Sequence, residues 1–231
     1  MEKLMNTCLA PCPVVFDLDG TLIDSAPDIH AAVNAVLRAQ HTAPLTLDQV
    51  RSFIGGGVDL LWRRVIAATD LPVEAHRDLV ASFMVRYHEA TALTRLYPNV
   101  AESLGVLADR GYPLGLCTNK PTGPTMAILD HFGLTRLFGA IVCGDSLPQK
   151  KPDPAPLWAA FRGLGASPDR PRGVYVGDSE FDAECAANAG VPFLLFTLGY
   201  RKSGIEDMQH TGRFDDFAQL PLLVEENVPV T

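Results

Sequence analysis

Two carboxylates one residue apart, Asp17 and Asp19, follow the apolar run Val14-Val15-Phe16, and Gly20 and Thr21 come directly after them. A buried strand ending in such a loop presents acidic groups at the carboxyl edge of a sheet, where open α/β sheets hold their ligands. A carboxylate placed there can attack phosphorus and form an aspartyl-phosphate. A second, two residues on, can protonate the leaving oxygen and then activate water. The same pair can supply oxygen ligands to Mg²⁺. The plainer alternative is an acidic turn that closes a strand.

Four further groups can be delivered to that edge. Thr118 and Asn119 follow Leu114-Gly115-Leu116-Cys117, and a hydroxyl and an amide at a strand end can hold a phosphoryl oxygen. Thr and Asn also serve as turn and cap residues. Lys151, in Lys150-Lys151-Pro152-Asp153-Pro154, can neutralise a phosphate and the nucleophile's charge. Lys150 competes with it, and the Lys-Pro step favours Lys151 because proline fixes the backbone that follows. Asp178 and Asp182 lie in Val176-Gly177-Asp178-Ser179-Glu180-Phe181-Asp182, one helical turn apart on one face. That spacing suits a metal ligand with a supporting carboxylate, and it equally suits helix capping by Asp178. Gly55-Gly56-Gly57 is a helix stop and start, or a set of bare amides that receives an anion. Arg51, Arg63 and Arg64 lie near it and read first as solvated surface groups.

These groups must be positioned by recognisable elements. Val14 to Phe16 reads as the first strand. Asp24-Ser25 can cap a helix with Pro27 in its first turn, and Ile29, Ala32, Val33, Val36 and Leu37 recur at helical spacing. Leu47 to Phe53, the run from Val58 to Ile66 and the run from Leu79 to Tyr87 repeat that pattern, and no strand is expected over 25–95. Beyond Tyr97-Pro98 helices and strands alternate: a helix capped by Asn99, then strands at Pro113–Cys117, Gly139–Cys143, Gly173–Val176 and Pro192–Phe196 with helices between them. A last short strand and helix are expected near Phe214 to Leu223. Alternation of this kind implies a doubly wound, parallel-sheet, Rossmann-like α/β core. The expected division is a core of residues 1–23 and 96–231, with an all-helical cap of residues 24–95 inserted after the first strand as a lid.

Composition excludes several classes. The 231 residues are 47 % hydrophobic and 20 % charged, ordinary for a globular chain, with room for a sizeable core. A net charge of −8 repels phosphate backbones, so nucleic acid is excluded as a main partner. Five cysteines (Cys8, Cys12, Cys117, Cys143 and Cys185) are an odd number in a chain of this size, which argues against a disulfide framework and for a reducing compartment. No signal peptide or membrane span is legible, so the expectation is a cytoplasmic protein without a membrane partner. Monomer and dimer both stay open.

The strings Asp17-Leu18-Asp19-Gly20-Thr21, Thr118, Lys151 and Gly177-Asp178-Ser179 with Asp182 resemble the four motifs of the haloacid dehalogenase-type phosphatases, in order and at strand ends. The helical insert resembles that family's cap of the first type. Within the family, Asp24-Ser25-Ala26-Pro27-Asp28, Phe53-Ile54-Gly55-Gly56-Gly57, Cys117-Thr118-Asn119-Lys120-Pro121, Gly144-Asp145-Ser146-Leu147-Pro148 and Phe196-Thr197-Leu198-Gly199-Tyr200 are similar to strings of its phosphoglycolate phosphatases. The resemblance implies a Mg²⁺-dependent phosphatase acting on a small anionic phosphate ester, 2-phosphoglycolate. It implies Asp17 as nucleophile and Mg²⁺ ligand, and Asp19 as acid and base with its backbone carbonyl on the metal. Thr118 and Asn119 would hold the phosphoryl group and Lys151 would offset charge. Asp178 would bind Mg²⁺ and Asp182 would orient that site. The dehalogenase branch lacks the second aspartate of the first motif, so Asp19 argues for phosphoryl chemistry. The rival readings are another small-ester or sugar-phosphate phosphatase, a phosphomutase of the same fold, and a non-catalytic binding module.

Overall fold

Six short apolar runs pair into one parallel sheet. In the computed structural model, which describes residues 11–167 and 172–227, these strands are β1 (Val14–Phe16), β4 (Leu114–Cys117), β5 (Phe138–Val142), β6 (Val174–Gly177), β7 (Phe193–Phe196) and β8 (Gly212–Phe214). Their order is β5-β4-β1-β6-β7-β8, every neighbouring pair parallel. In chain order β4 and β5 extend the sheet on one side of β1, and β6, β7 and β8 extend it on the other. β1 therefore sits where the winding reverses, and a crevice for a ligand opens there at the carboxyl ends.

The period of two along each strand builds two cores. Val14 and Phe16 face α5 (Val100–Asp109), α6 (Thr122–His131) and α9 (Leu220–Asn227), with Leu104, Ile128 and Leu220 in one buried cluster. Val15 and Tyr175 face α7 (Ala155–Gly163) and α8 (Glu180–Ala189), with Leu157, Phe161 and Ala186 in another. Both faces are covered, as an all-parallel sheet requires.

Between β1 and α5 come four α-helices: α1 (Ala26–Ala39), α2 (Leu47–Phe53), α3 (Gly57–Thr69) and α4 (His76–Tyr87). They close on their own core around Val33, Leu37, Trp62, Val65 and Phe83, with the Trp62 and Phe83 rings edge to face at 5.8 Å. α2 starts on a reciprocal capping box between Thr46 and Gln49.

Three local expectations are corrected. The segment is joined to the sheet by a two-stranded antiparallel ribbon, β2 (Ile23–Asp24) with β3 (Arg95–Leu96), which two-residue strands give periodicity no chance to reveal. Ser25 stands at the start of α1 but its hydroxyl does not cap the helix; it donates to Asp19 Oδ1 at 2.5 Å. Asn99 precedes α5 in the left-handed region, φ 64°, and its side chain donates to Asp216 instead of accepting a helix amide. Cys12, Cys117, Cys143 and Cys185 are free thiols; Cys8 lies outside the described residues.

Candidate active site

The β1 strand delivers Asp17 to the reversal point, and the loops after β4 and β6 close around it. Asp17 is 7 % exposed. Lys151, from the loop after β5, places Nζ 2.8 Å from Asp17 Oδ1 and 2.6 Å from Asp182 Oδ1. Its neighbour Lys150 is exposed. Burial works against the Lys151 charge, yet the two carboxylates hold its ammonium well above its ordinary range. Burial pushes the Asp17 carboxyl up to about 7, with Lys151 pulling against it.

Asp178 follows β6 and is almost fully buried. It accepts the Thr21 hydroxyl at 2.7 Å and the Tyr200 amide at 2.6 Å. Burial, then the charges of Asp182 and Asp17, push its carboxyl well above the usual range. Gly20 lies against it at φ +88°, where an added Cβ would stand 2.5 Å from Asp178 Oδ2. A side chain at position 20 is thus blocked both by backbone conformation and by space.

Asp182 has no free lone-pair direction left. Oδ2 accepts from the Ser179 hydroxyl at 2.6 Å and from the amides of Ser179 and Asp178, and Oδ1 accepts Lys151 Nζ and lies 2.7 Å from the Tyr175 hydroxyl. Burial alone would raise its pKa; Lys151 and these hydrogen bonds bring it below the ordinary value. The cap of α8 is therefore Ser179 with Asp182 closing a capping box, not Asp178. Glu180 turns away and accepts the amides of Lys202 and Ser203.

One oxygen from each of Asp17, Asp178 and Asp182 falls within 4.8 Å of the others. Three buried carboxylates face a single buried ammonium, and the angle to Lys151 leaves Asp17 Oδ1 without a hydrogen bond. Such a set of hard oxygen donors with surplus negative charge fits a hard divalent cation. Asp17 and Asp178 retain capacity to coordinate it, and the saturated Asp182 holds Lys151 and the Asp178 loop in place.

Asp19 is positioned differently. Ser25 Oγ and Lys120 Nζ both donate to its Oδ1, at 2.5 and 2.9 Å. Thr118 is buried, and its hydroxyl oxygen accepts the Lys120 amide at 3.2 Å. The expectation for the Asn119 side chain is corrected. Its Nδ2 donates to the carbonyls of Gly55 and Lys151, and its Oδ1 accepts the Lys151 amide. It is a strut that ties the Lys151 loop to the helical segment, and only its backbone N–H is left to meet a phosphoryl oxygen.

Asp17, Asp19, Thr118, Asn119, Lys120 and Tyr87, with Gly55 and Gly57, line one cavity of about 40 Å³ roofed by Ile29, Ile54, Val58 and Leu61. Gly56 does not line it: an added Cβ there would meet Leu60 and Phe181. Arg51, Arg63 and Arg64 are also outside it, engaged with Asp24 and Asp48, Asp59 and the Phe53 carbonyl.

Sequence reasoning missed five residues of this neighbourhood: Lys120, Tyr87, Tyr175, Tyr200 and Ser25. Tyr87 and Tyr175 occupy apolar periodic positions of α4 and β6 and read as core. Lys120 is one more lysine before a proline, and nothing in its spacing distinguishes it from a solvated one.

Residues 14–196 match the family model of the haloacid dehalogenase-like hydrolases. A phosphoglycolate phosphatase of Cereibacter sphaeroides is 48 % identical over 214 residues, 91 % of this chain and 96 % of that protein. A phosphoglycolate phosphatase of Rhodobacter capsulatus is 44 % identical over 219 residues, 94 % of this chain and 98 % of that protein. The crystal structure of a predicted phosphoglycolate phosphatase from Haemophilus somnus superposes with a TM-score of 0.85 at 33 % identity, covering 94 % of this chain and 99 % of that one.

Proposed function

The chain belongs to the haloacid dehalogenase-like hydrolases, and on that premise we propose that it hydrolyses 2-phosphoglycolate to glycolate and phosphate. The observation that carries the reading is one cavity in which Asp17, Asp19 and Thr118 meet, with Lys151 paired to Asp17 from below. The names of the relatives support a two-carbon ester.

Asp17 attacks phosphorus in line with the ester oxygen. The phosphorus–oxygen bond breaks, its electron pair goes to the leaving oxygen, and Asp19 gives that oxygen a proton. Water then attacks the aspartyl-phosphate, Asp19 takes the water's proton, and Asp17 leaves as a carboxylate. Both hydrogen bonds to Asp19 fall on Oδ1, so Oδ2 is the atom for proton transfer. The Thr118 hydroxyl, whose oxygen accepts the Lys120 amide, turns its proton to a phosphoryl oxygen, and the Asn119 N–H serves another. Lys151 offsets negative charge between Asp17 and the transferring group, the main electrostatic demand of phosphoryl transfer.

Asp17, Asp178 and the Asp19 carbonyl would hold Mg²⁺, with Asp182 orienting the set. The ion would supply positive charge that lets an acidic protein accept a dianionic ester. Residues 24–95 form the cap that covers the site, joined through the ribbon of β2 and β3. Gly55 and Gly57, on the cavity wall, bring the uncapped start of α3 towards the substrate.

Phosphate release from a panel of small phosphate esters, with and without Mg²⁺, tests the reading. The expected result is Mg²⁺-dependent turnover that is greatest for 2-phosphoglycolate and abolished in Asp17→Asn. Release at the parent rate by that variant would falsify the assignment of the nucleophile.

A further inference from the structure

Besides Lys151, the site has a buried cation on the cavity wall whose ammonium the steps above leave without a task. Lys120 sits two residues beyond Thr118, on the loop between β4 and α6, and its side chain is 1 % exposed. Nζ donates to Asp19 Oδ1 at 2.9 Å and to the hydroxyl of Tyr87, which α4 brings down from the cap. The ammonium also lies 4.5 Å from the centroid of the Tyr87 ring. Two of its three donors are accounted for, and Lys120 lines the cavity beside Asp19.

An ammonium is a costly way to fill space. Removing it from water is strongly unfavourable unless charge returns the loss, and a methionine would pack against Tyr87 as well. Asp19 alone could account for the charge. The position of Lys120 asks for more. The oxygen that leaves from phosphorus must come within about 2.6–3.2 Å of Asp19 to receive its proton. In 2-phosphoglycolate that oxygen is bonded to a methylene that is bonded to the carboxylate. The carboxylate is therefore two bonds from the atom Asp19 must touch, and Lys120 Nζ is 2.9 Å from Asp19.

We propose that Lys120 is the specificity-determining residue, its ammonium receiving the substrate carboxylate while Asp19 serves the leaving oxygen. This rests on the reading of 2-phosphoglycolate as substrate and says how it is told from other esters. Tyr87 orients the ammonium from the cap, so the lysine is aimed at the carboxylate when the cap is seated as it is here. The uncapped amides at the start of α3 also line the cavity and add hydrogen bonds but no full charge.

The test compares kcat and KM for 2-phosphoglycolate and for its neutral isostere 2-phosphoglycolamide, in the parent and in Lys120→Met. In the parent, kcat/KM favours the acid. In Lys120→Met that preference falls about 10- to 100-fold, the scale of one lost charge-assisted hydrogen bond, and it falls mainly through the KM of the acid. Any loss of rate that comes through Asp19 affects both substrates and cancels in the ratio. Lys120→Gln retains a hydrogen-bonding group beside Asp19 and Tyr87 and gives the same ratio should the methionine variant misfold. An unchanged ratio in a folded variant overturns the role of Lys120 and leaves the proposed reaction standing. A parent enzyme that cleaves other esters but not 2-phosphoglycolate overturns both.

Discussion

Asp17 and Asp178 are held where ionisation is unfavourable, and this makes the site sensitive to pH in a definite direction. The Asp17 carboxyl stands at about 7 because burial disfavours its charge, against 3.8 for the ordinary side chain. Between those two values the folded chain keeps a proton that the unfolded chain has lost, so stability falls as pH rises through that window. With divalent cations chelated, Asp17→Asn should melt close to the parent at pH 4 and roughly 5 °C above it at pH 8. A melting difference that does not change with pH would remove burial of charge as the cause. Asp182 behaves oppositely: it is buried as deeply, but Lys151 and four further hydrogen bonds satisfy its charge. Two acids four residues apart in sequence thus receive opposite electrostatics. Their spacing marks both as site residues, but only the partners brought from β5, β6 and β7 separate ligand from orienter.

At the scale of elements, one link between the sheet and the helical segment runs through Tyr200. Its ring belongs to the cluster at the centre of the helical segment, although the residue comes from the loop after β7. Its hydroxyl donates to Asp24 at 2.6 Å and accepts the Ser25 and Ala26 amides at the start of α1. Its own amide donates to Asp178. One residue therefore caps α1, braces the ribbon and contacts a proposed metal ligand. Tyr200→Phe removes the hydroxyl while keeping the ring and the amide. The expected cost is that of a lost helix cap, about 1–2 kcal/mol, or a fall in melting temperature of about 3–5 °C. KM for the ester should rise as well, if residues 24–95 act as the proposed cap, because Tyr200 then holds them over the site less firmly. A fall in stability with unchanged KM would show the contact to be structural only. Sequence reasoning placed a cap on α1 at Asp24 and Ser25, and Asp24 Oδ1 does accept the Ala26 amide at 3.3 Å, whereas Ser25 does not cap. The shorter bonds to the Ser25 and Ala26 amides go to Tyr200, about 175 residues away, and helix periodicity carries no information at that range.

For the whole molecule, the controlling fact is the sheet order, which puts β1 between β4 and β6. Loops from both halves of the winding reach Asp17 only because of that order. A cation bound there joins both halves, and it binds the folded chain alone, so it should stabilise the entire unit. At 100 times its dissociation constant the gain is about 2.7 kcal/mol, or roughly 5–10 °C for a chain of this length. Thermal melts with Mg²⁺ and with a chelator check this. Asp178→Asn should lose the Mg²⁺-dependent shift, and retention of the full shift would place the cation elsewhere. Among the described residues no helix is long and apolar enough to cross a membrane. The acidic net charge of −8 leaves Lys120 and Lys151 as buried cations inside an otherwise negative field.

The sequence by itself determined the parallel α/β class and the helical segment between the first two sheet strands, and it singled out Asp17, Asp19, Thr118, Lys151, Asp178 and Asp182 as candidates, which the fold brings together at one edge of the sheet. These are local properties: apolar runs of period two, helices of period 3.6, and acids or hydroxyls directly after a strand. Tertiary structure alone decided that Asn119 is a strut, that Gly56 lies off the cavity wall, that Ser25 serves Asp19 and not α1, and that Lys120 is a buried cation beside Asp19. Each of those depends on a partner far along the chain. A polar side chain's role is set by what surrounds it once water is excluded, and the order of residues within a loop does not encode those surroundings.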